Sequence, residues 1–442
     1  MTVQDLPILA DEDTTVGNYF VSNYPPFSAW SSDRVPRVHH VLQTPAKPGT
    51  PLGLYVHIPF CRRRCHFCYF KVYTGKSASD VRTYLDYLRR EIALYRDKPL
   101  LGGRKPKFVY FGGGTPSFLS ANQLKSLAED LQAALPWDEA EEVAFECEPG
   151  TLSESKLRAI REIGVTRLSL GIENFDDKIL EINNRAHRSA EVDRAYDSAR
   201  SVGFAQINID LIAGMIGETE ENWERCVRRT IDLQPESITI YQMEIPYNTT
   251  IYREMKEKEE TVAPVADWKT KRRWVKQAFL ELEAAGYAIG SAYTAVKDVA
   301  RTRFVYRDEL WRGADMLSLG VASFGHFQGV HAQNEKDNGP YFERIDAGEI
   351  PIRRAYPLNQ EERMVREFVL QLKLGSVSRD YFKEKFSVDI GERYSAQFAE
   401  LEDYGLAEKG EEGPRLTREG LLRVDGLLPV FFQEEHRTDR YV

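Results

Sequence analysis

From residue 53 onward, short β-rich runs of apolar residues alternate with stretches of helical spacing. The β-rich runs cover residues 53–60, 107–114, 142–149, 167–173, 206–214 and 237–244. Between the first two runs, the apolar positions recur as on one helix face: Val81, Tyr84, Leu85, Leu88, Ile92 and Tyr95. Ser79 is placed to cap the start of that helix. A strand followed by a helix, six times over, predicts a parallel sheet of the α/β class.

The number of these strand-helix units decides between barrel and open-sheet architectures. Parallel strands joined by right-handed helical crossovers can form either, and six units favour an open, partial (β/α)6 barrel over a flat doubly wound sheet. A full barrel of eight units is the nearest alternative.

Changes of pattern divide the chain into four predicted segments. Residues 1–50 form an irregular N-terminal arm, which packs on the body through the aromatic residues Tyr19, Phe20, Tyr24, Phe27 and Trp30. Residues 51–260 hold the barrel, and residues 261–358 are expected to close its open side. Residues 359–442 predict a small, mostly helical domain of winged-helix type, with one apolar helix face formed by Met364, Val365, Phe368, Val369 and Leu372.

The composition of the 442 residues excludes several function classes. A net charge of −9 argues against a broad phosphate-binding face and so disfavours a nucleic-acid partner. The longest apolar stretches, such as residues 426–432, fall far short of a bilayer span. The first 18 residues contain acidic side chains and no Lys or Arg, which is unlike a secretory or transit signal. We therefore expect a cytoplasmic protein without a membrane span.

Three of the five cysteines, Cys61, Cys65 and Cys68, lie directly after the first predicted strand. Barrel enzymes keep their chemistry at that end of the strands, and thiolates are the ligands of iron–sulfur clusters. A short loop with these gaps can hold three irons of a cubane, which leaves the fourth iron open to an exogenous chelator. Cys147 and Cys226 stand alone and are interpreted as buried or incidental thiols.

Other readings of the cysteine loop stay open at this point. A structural zinc ion would need a fourth ligand, for which His57 or His66 is available. A redox dithiol would use only the last two cysteines of the loop. The arginines at 62–64 are either solvated surface or a positive patch that favours a reduced cluster or an anionic substrate.

Several segments, in this order, resemble the radical S-adenosylmethionine (SAM) family of oxygen-independent coproporphyrinogen III oxidase and its relatives, which include heme chaperones and class C radical SAM methyltransferases. The segments are 55–61 (YVHIPFC), 111–117 (FGGGTPS), 146–149 (ECEP), 167–173 (RLSLGIE), 184–187 (NRAH), 208–212 (NIDLI) and 416–420 (LTREG). The resemblance is strong over residues 51–260 and weaker over residues 310–425. It implies a radical SAM barrel.

The resemblance also implies the cofactors and the chemistry. A [4Fe-4S] cluster would be held by Cys61, Cys65 and Cys68, with SAM bound at the open iron. The reduced cluster would cleave SAM to methionine and a 5′-deoxyadenosyl radical, which abstracts a hydrogen atom from the substrate. One SAM molecule is expected, a second is left open, and an electron donor such as flavodoxin or ferredoxin would be a partner.

The candidate SAM-binding residues combine strand-end positions with what the resemblance implies. Glycines at a strand end let the backbone approach a ligand, carboxylates on the strand rim can accept hydrogen bonds from ribose hydroxyls, and an arginine can hold a carboxylate. By resemblance, Tyr55 and Phe67 pack around SAM and Met243 lines the adenine site. The full set is Tyr55, Phe67, Gly112, Gly113, Gly114, Thr115, Glu146, Glu173, Arg185, Asp210 and Met243. No catalytic residue is assigned.

Certain positions depart from the family pattern and leave the substrate open. Phe70 stands where the oxidase carries a further cysteine, and Glu173 stands where it has Gln. Met215 begins a Met-Ile pair in place of Leu-Pro, and only Trp311 remains of the motif that the heme chaperones carry. His326 could face substrate, ligate heme or be structural.

We therefore expect a radical SAM oxidoreductase that acts on a tetrapyrrole or another flat, conjugated substrate. Oxidative decarboxylation of the coproporphyrinogen type and class C methyl transfer are the two leading reactions. A noncatalytic carrier that binds heme is the alternative.

Overall fold

The computed structural model describes Leu6 and residues 20–260, 264–410 and 412–437. Parallel strands follow one another across a single sheet in chain order, with at least one helix between each and the next. These strands are β1 (Leu52–Ile58), β2 (Phe108–Gly113), β3 (Glu142–Cys147), β4 (Arg167–Glu173), β5 (Gln206–Ala213) and β6 (Ser237–Gln242). The helices up to β6 are α1 (Val35–Leu42), α2 (Ala78–Arg96), α3 (Ala121–Ala134), α4 (Glu154–Glu162), α5 (Asp177–Ile182), α6 (Ser189–Val202) and α7 (Glu220–Leu233).

Later strands extend this sheet on both sides. They are β7 (Ala288–Ile289), β8 (Thr294–Val296), β9 (Asp315–Leu319), β10 (Phe324–Phe327), β11 (Val330–Asn334) and β12 (Ile352–Pro357). β9 pairs in parallel with β1, and β10 to β12 continue antiparallel from it. β8 pairs antiparallel with β6, and β7 follows it. The sheet therefore has β12 and β7 as its edges and is not the eight-unit closed barrel.

The chain after β6 is otherwise mostly helical. Its helices are α8 (Thr250–Glu257), α9 (Trp268–Ala284), α10 (Val305–Trp311), α11 (Asn338–Asp346), α12 (Gln360–Leu372), α13 (Arg379–Phe386), α14 (Ile390–Arg393), α15 (Ser395–Asp403), α16 (Arg418–Leu422) and α17 (Val424–Leu427). A small hairpin joins β13 (Ala407–Lys409) to β14 (Pro414–Leu416). The predicted α/β class, with a mostly parallel sheet and a helical C-terminal region, is confirmed.

Local capping fixes where the barrel helices begin, and it corrects one prediction. Ser77, not Ser79, caps α2: its hydroxyl accepts from the Asp80 backbone N–H, and the Asp80 carboxylate accepts from the Ser77 backbone N–H. This reciprocal capping box satisfies two helix-terminal donors at once. Ser79 lies exposed in the first turn. The prediction that Ser79 caps this helix was therefore wrong.

Two hydrophobic cores hold the molecule. The larger core lies between the barrel sheet and its surrounding helices. The second core joins the C-terminal helices to the N-terminal arm, in which Tyr24 is fully buried and packs against Phe432 at a centroid distance of 5.0 Å. Trp30 of the arm stacks on His331 at 4.8 Å. The predicted arm residue Tyr19 lies outside the described residues, and the four predicted domain boundaries stay predictions.

No helix within the described ranges is long and apolar enough to cross a membrane.

Candidate active site

The three clustered cysteines lie in the loop that leaves the carboxyl end of β1. The Cys61 backbone N–H donates to the Tyr73 carbonyl over 3.1 Å. Farther along the loop, Asn184 Nδ2 donates to the Arg64 carbonyl over 2.8 Å. The first contact closes the loop on itself and the second ties it to the segment after α5, so both help to set the shape of its backbone.

Each of two thiols faces a hydrogen-bond donor. Thr115 Oγ1 lies 3.3 Å from Cys61 Sγ, and Arg185 Nη1 lies 3.2 Å from Cys65 Sγ. Burial raises the pKa of Cys61 to about 11 and the pKa of Cys68 to about 12. Iron binds thiolates, so metal binding must displace these protons, and the two donors favour the charged sulfur.

The surroundings of the loop fit a bound group. His57 Nε2, Arg64 Nε and Arg185 Nε are buried and have no hydrogen-bond partner among the described residues. Buried polar atoms in proteins are nearly always paired, so these three nitrogens are suited to contact something that binds there. The thiol donor set is that of an iron–sulfur cluster with one open iron. The residues present therefore fit a [4Fe-4S] cluster.

The three predicted glycines end β2 in close packing. A Cβ on Gly113, whose φ is +109°, would lie 2.3 Å from the His57 ring. A Cβ on Gly112 would lie 2.7 Å from the Tyr110 ring, and one on Gly114 would lie 2.8 Å from a carbonyl oxygen of β1. These contacts require glycine for packing alone. Contact of the glycines with SAM stays a prediction.

The three predicted carboxylates lie near one another toward the carboxyl ends of their strands, where the cysteine loop also lies. Glu146 accepts from Tyr110 Oη at 2.6 Å and from the Gly113 backbone N–H at 3.1 Å. Burial raises the pKa of Glu146 to about 7 and that of Glu173 to about 7, and burial also raises the pKa of Asp210. The negative charges of Glu146 and Asp210 act on Glu173 as well. Three neighbouring carboxyls with raised pKa values are typical of a functional cleft.

Arg185 links the carboxylates to the cysteine loop. Its Nη2 lies 3.5 Å from Glu173 Oε1 and also contacts the Gly171 carbonyl, while its Nη1 reaches Cys65. Glu173 adopts φ +66°, a left-handed conformation that is uncommon outside glycine. Backbone strain of this kind clusters at functional sites. The arginine thus places positive charge between a thiol and an acid.

The predicted apolar contacts fall into two groups. Phe67 and Met243 pack in one small cluster beside the cysteine loop. Tyr55 is separate from them and stacks on Tyr110 at a centroid distance of 5.9 Å. Its Oη forms a hydrogen bond of 3.2 Å with His57 Nδ1. The structure therefore brings Phe67 and Met243 together and places Tyr55 on another wall.

Sequence reasoning missed an ion-pair network beside the loop. Arg62 binds both oxygens of Glu148, with Nε–Oε2 at 2.9 Å and Nη2–Oε1 at 2.8 Å. His187 Nδ1 lies 3.4 Å from the same carboxylate. Burial acts to raise the pKa of Glu148, but the neighbouring His187 and the hydrogen bonds from Arg62 lower it to about 2. The signal was present, because Glu148 lies two residues after Glu146 and so faces the same side of an extended chain.

Two further residues singled out in the sequence are also placed. His326 is buried in β10, and its Nδ1 lies 2.9 Å from Nδ1 of His331. Phe70 is exposed and packs on Tyr69. Within the described parts of the chain, no group of three or more His, Cys, Asp or Glu side chains is arranged to hold a single metal ion. That finding concerns a mononuclear ion such as zinc, whose ligands must converge on one point.

Comparison with known proteins finds a superfamily that part of the chain resembles. Residues 55–230 match the family model of the radical SAM superfamily. The matched segment contains the cysteine loop, the β2 glycines and the three carboxylates. This part of the chain is therefore similar to radical SAM domains, which use a [4Fe-4S] cluster and SAM.

Some known proteins are similar to this chain over most of its length. The chain is 29% identical to the oxygen-independent coproporphyrinogen III oxidase of Helicobacter pylori over 406 residues, which cover 87% of this chain and 86% of the relative. It is also 29% identical to the heme chaperone HemW of Bacillus subtilis, over 86% of this chain and 99% of that protein. The solved structure of coproporphyrinogen III oxidase from Escherichia coli has the same fold, with a TM-score of 0.80 at 23% identity over 95% of this chain and 99% of that one.

Proposed function

We propose that this protein is a radical SAM oxidoreductase, similar to coproporphyrinogen III oxidase, that acts on a tetrapyrrole or another flat, conjugated substrate. The observation that carries the proposal is the position of Arg185. One guanidinium group contacts the thiol of Cys65 and lies beside the carboxylate of Glu173. The proposed cluster ligands and the proposed SAM-binding acids therefore lie at the same end of the barrel.

In this proposal, Cys61, Cys65 and Cys68 hold a [4Fe-4S] cluster. When bound and reduced, the cluster supplies one electron for cleavage of SAM to methionine and a 5′-deoxyadenosyl radical. The chain supplies orientation and exclusion of water. Arg185 and Thr115 donate hydrogen bonds toward thiolate sulfur.

The carboxylates have a positioning role in the same proposal. Glu146, Glu173 and Asp210 are suited to accept hydrogen bonds from the ribose hydroxyls of SAM. Glu146 is itself held by Tyr110 and the Gly113 backbone. A ligand placed by a fixed acceptor keeps its reacting carbon at a set distance from the substrate.

The choice of substrate class rests on the relatives and on the walls of the barrel. The relatives that span most of this chain are coproporphyrinogen III oxidases and a heme chaperone. Tyr110 stacks on Tyr55 and lies 4.4 Å from Tyr306, centroid to centroid, so flat side chains line the barrel beneath the carboxylates. Aromatic walls pack well against flat conjugated rings. Oxidative decarboxylation is the leading reaction, and class C methyl transfer is the other variant.

The test compares two cysteine substitutions after anaerobic reconstitution with iron and sulfide. Cys65→Ala should lose the cluster and, under dithionite, the formation of 5′-deoxyadenosine from SAM. Cys226→Ala removes a buried thiol of α7 and should keep both. Consumption of coproporphyrinogen III by the unsubstituted protein then tests the substrate class. An unchanged iron content and SAM cleavage in Cys65→Ala would refute the ligand assignment.

A noncatalytic heme carrier is the second candidate function. It is supported by the Bacillus subtilis heme chaperone, which this chain matches along nearly the whole of that protein's length. A carrier should bind heme at a fixed stoichiometry and form little 5′-deoxyadenosine with any porphyrinogen. Substrate-dependent SAM cleavage without saturable heme binding would exclude it.

A further inference from the structure

A pocket lies at the opposite end of the barrel from the cysteines. It is lined by Arg167, the first residue of β4, and by Ser237, the first residue of β6. The candidate active site lies at the carboxyl ends of the same strands. Six residue steps along β4 separate Arg167 from Glu173, which corresponds to about 20 Å. The pocket is therefore a separate site.

The pocket has room for a small ligand. Its volume is about 190 Å³, well above the ~10–15 Å³ that a single water molecule requires. The remaining lining residues are Gly290, Thr294, Val296, Val299, Thr302, Arg303, Phe304, Arg307 and Asp308. Three arginines and one aspartate line the pocket, so its lining has a net charge of two positive units in a chain whose total charge is −9.

The Arg167 side chain is fixed in place and still has unpaired hydrogen-bond donors among the described residues. Its side chain is 3% exposed, and its guanidinium group stacks over the Phe304 ring at 4.5 Å. Nη1 donates to Gln206 Oε1 at 3.0 Å. Among the described residues, its other guanidinium nitrogens have no hydrogen-bond partner, and no carboxylate lies within 4 Å. Glu142 and Asp210 act on Arg167 only from beyond ion-pair distance. The buried guanidinium therefore lacks a direct partner acid, which is costly, and an anion in the pocket would reduce that cost.

A second guanidinium, that of Arg307, lies near the same aromatic ring. Arg307 lies 5.7 Å from the Phe304 centroid, and its Nη1 donates to Thr294 Oγ1 at 3.0 Å. Its Nε and Nη2 both contact Asp308 Oδ1, at 2.9 and 2.8 Å, which fixes its orientation and pairs it with an acid. The third arginine, Arg303, is exposed, and its Nη1 lies 3.7 Å from Oε2 of the exposed Glu141.

Other carboxylates near the pocket are already occupied. Glu142, the first residue of β3, accepts from the backbone N–H groups of Val305 and Tyr306 at the start of α10. Its negative charge remains near Arg167 but outside ion-pair distance. Hydroxyl groups complete the lining, since Thr302 is buried at the wall.

We propose that this pocket binds a small oxyanion, a phosphate or a carboxylate group, between the guanidinium groups of Arg167 and Arg307. Among the described residues, Nε and Nη2 of Arg167 have no partner and can donate to two oxygens of either group, while Arg307 adds a second positive charge. The hydroxyls of the lining supply the remaining hydrogen bonds. The site lies outside the proposed radical chemistry and does not depend on it.

Isothermal titration of the full-length protein, with inorganic phosphate in one arm and succinate in the other, tests the proposal and separates the two sources of oxyanion. We expect saturable binding of one ion per chain in at least one arm. Arg167→Gln should weaken that binding by roughly tenfold or more, because a charged hydrogen-bonding partner is lost. The matched control Arg158→Gln changes an exposed arginine of α4 and should leave binding unchanged.

A second variant keeps the test decisive if Arg167→Gln fails to fold. A Cβ on Gly290 would meet nothing closer than Thr294 Oγ1 at 3.6 Å, so the backbone tolerates a side chain there. Gly290→Leu should fill the pocket and abolish binding while SAM cleavage stays unchanged. Absence of saturable binding in both arms, or equal binding by the wild type and Gly290→Leu, would overturn the proposal. If the wild type does not cleave SAM, that result would count only against the proposed function.

Discussion

The Glu148 network gives the most quantitative prediction. The pKa of Glu148 is about 2 in the folded protein, against 4.5 for an ordinary glutamate. A carboxylate with a lowered pKa stabilises the folded state above its unfolded pKa, and that contribution is lost as the pH falls through the folded value. A difference of about 2.5 pH units at 1.4 kcal/mol per unit corresponds to about 3 kcal/mol at neutral pH. The side chain is 9% exposed, so solvent screening removes little of this.

Glu148→Gln should therefore lower the free energy of unfolding by about 3 kcal/mol at pH 7, measured by urea denaturation with circular dichroism. The difference from wild type should stay constant from pH 7 to 5 and shrink below pH 4.5. Because Arg62 directly follows Cys61, the variant should also hold less iron after reconstitution. Glu154→Gln is the matched control, since its partner Arg158 and the glutamate itself are both exposed. Equal losses in the two variants, or a difference that grows on acidification, would refute the reasoning.

Two further substitutions test local features of the fold. Ser77→Ala should destabilise the protein by about 1 kcal/mol in thermal or urea unfolding, because it removes the cap of α2, whereas Ser79→Ala should cost almost nothing; equal effects would contradict the cap assignment. Gly113→Ala should cost about 3 kcal/mol, because the new methyl group meets the His57 ring, while Gly203→Ala, which also has positive φ but open space, should cost about 1 kcal/mol; similar unfolding midpoints would show that the strand end can shift.

Features that depend on nearby residues in sequence were predictable. The strand runs near residues 53–60 and 167–173 were recognised from continuous apolar character, and the structure places strands over Leu52–Ile58 and Arg167–Glu173. The capping residue of α2 was missed by two positions, because the apolar period fixes a helix face and not its first turn. Helix ends depend on single side-chain hydrogen bonds, which the pattern does not contain.

Features that depend on long-range contacts were only partly predictable. Glu146, Glu173 and Asp210 could be placed on one rim because parallel strands bring their carboxyl ends together. The contact between Arg185 and Cys65 joins residues 120 positions apart, and no spacing rule predicts it. His326 looked like a lone histidine in the sequence, yet it forms a buried pair with His331 across the β10–β11 hairpin. Such pairs appear only when strand register is known.

The barrel strands also explain how one protein can carry two independent ligand sites. β4 begins at Arg167 and ends at Glu173, so the same strand presents a cation at one end and an acid at the other. The acid lies with the cysteines, where Arg185 balances it, and the cation lies in a pocket with a second arginine. Because about 20 Å of strand separates Arg167 from Glu173, a small ligand bound at one end does not touch the other. Substitutions at Arg167 and at Cys65 should therefore act additively, and a strong coupling between them would show that the barrel transmits binding along its axis.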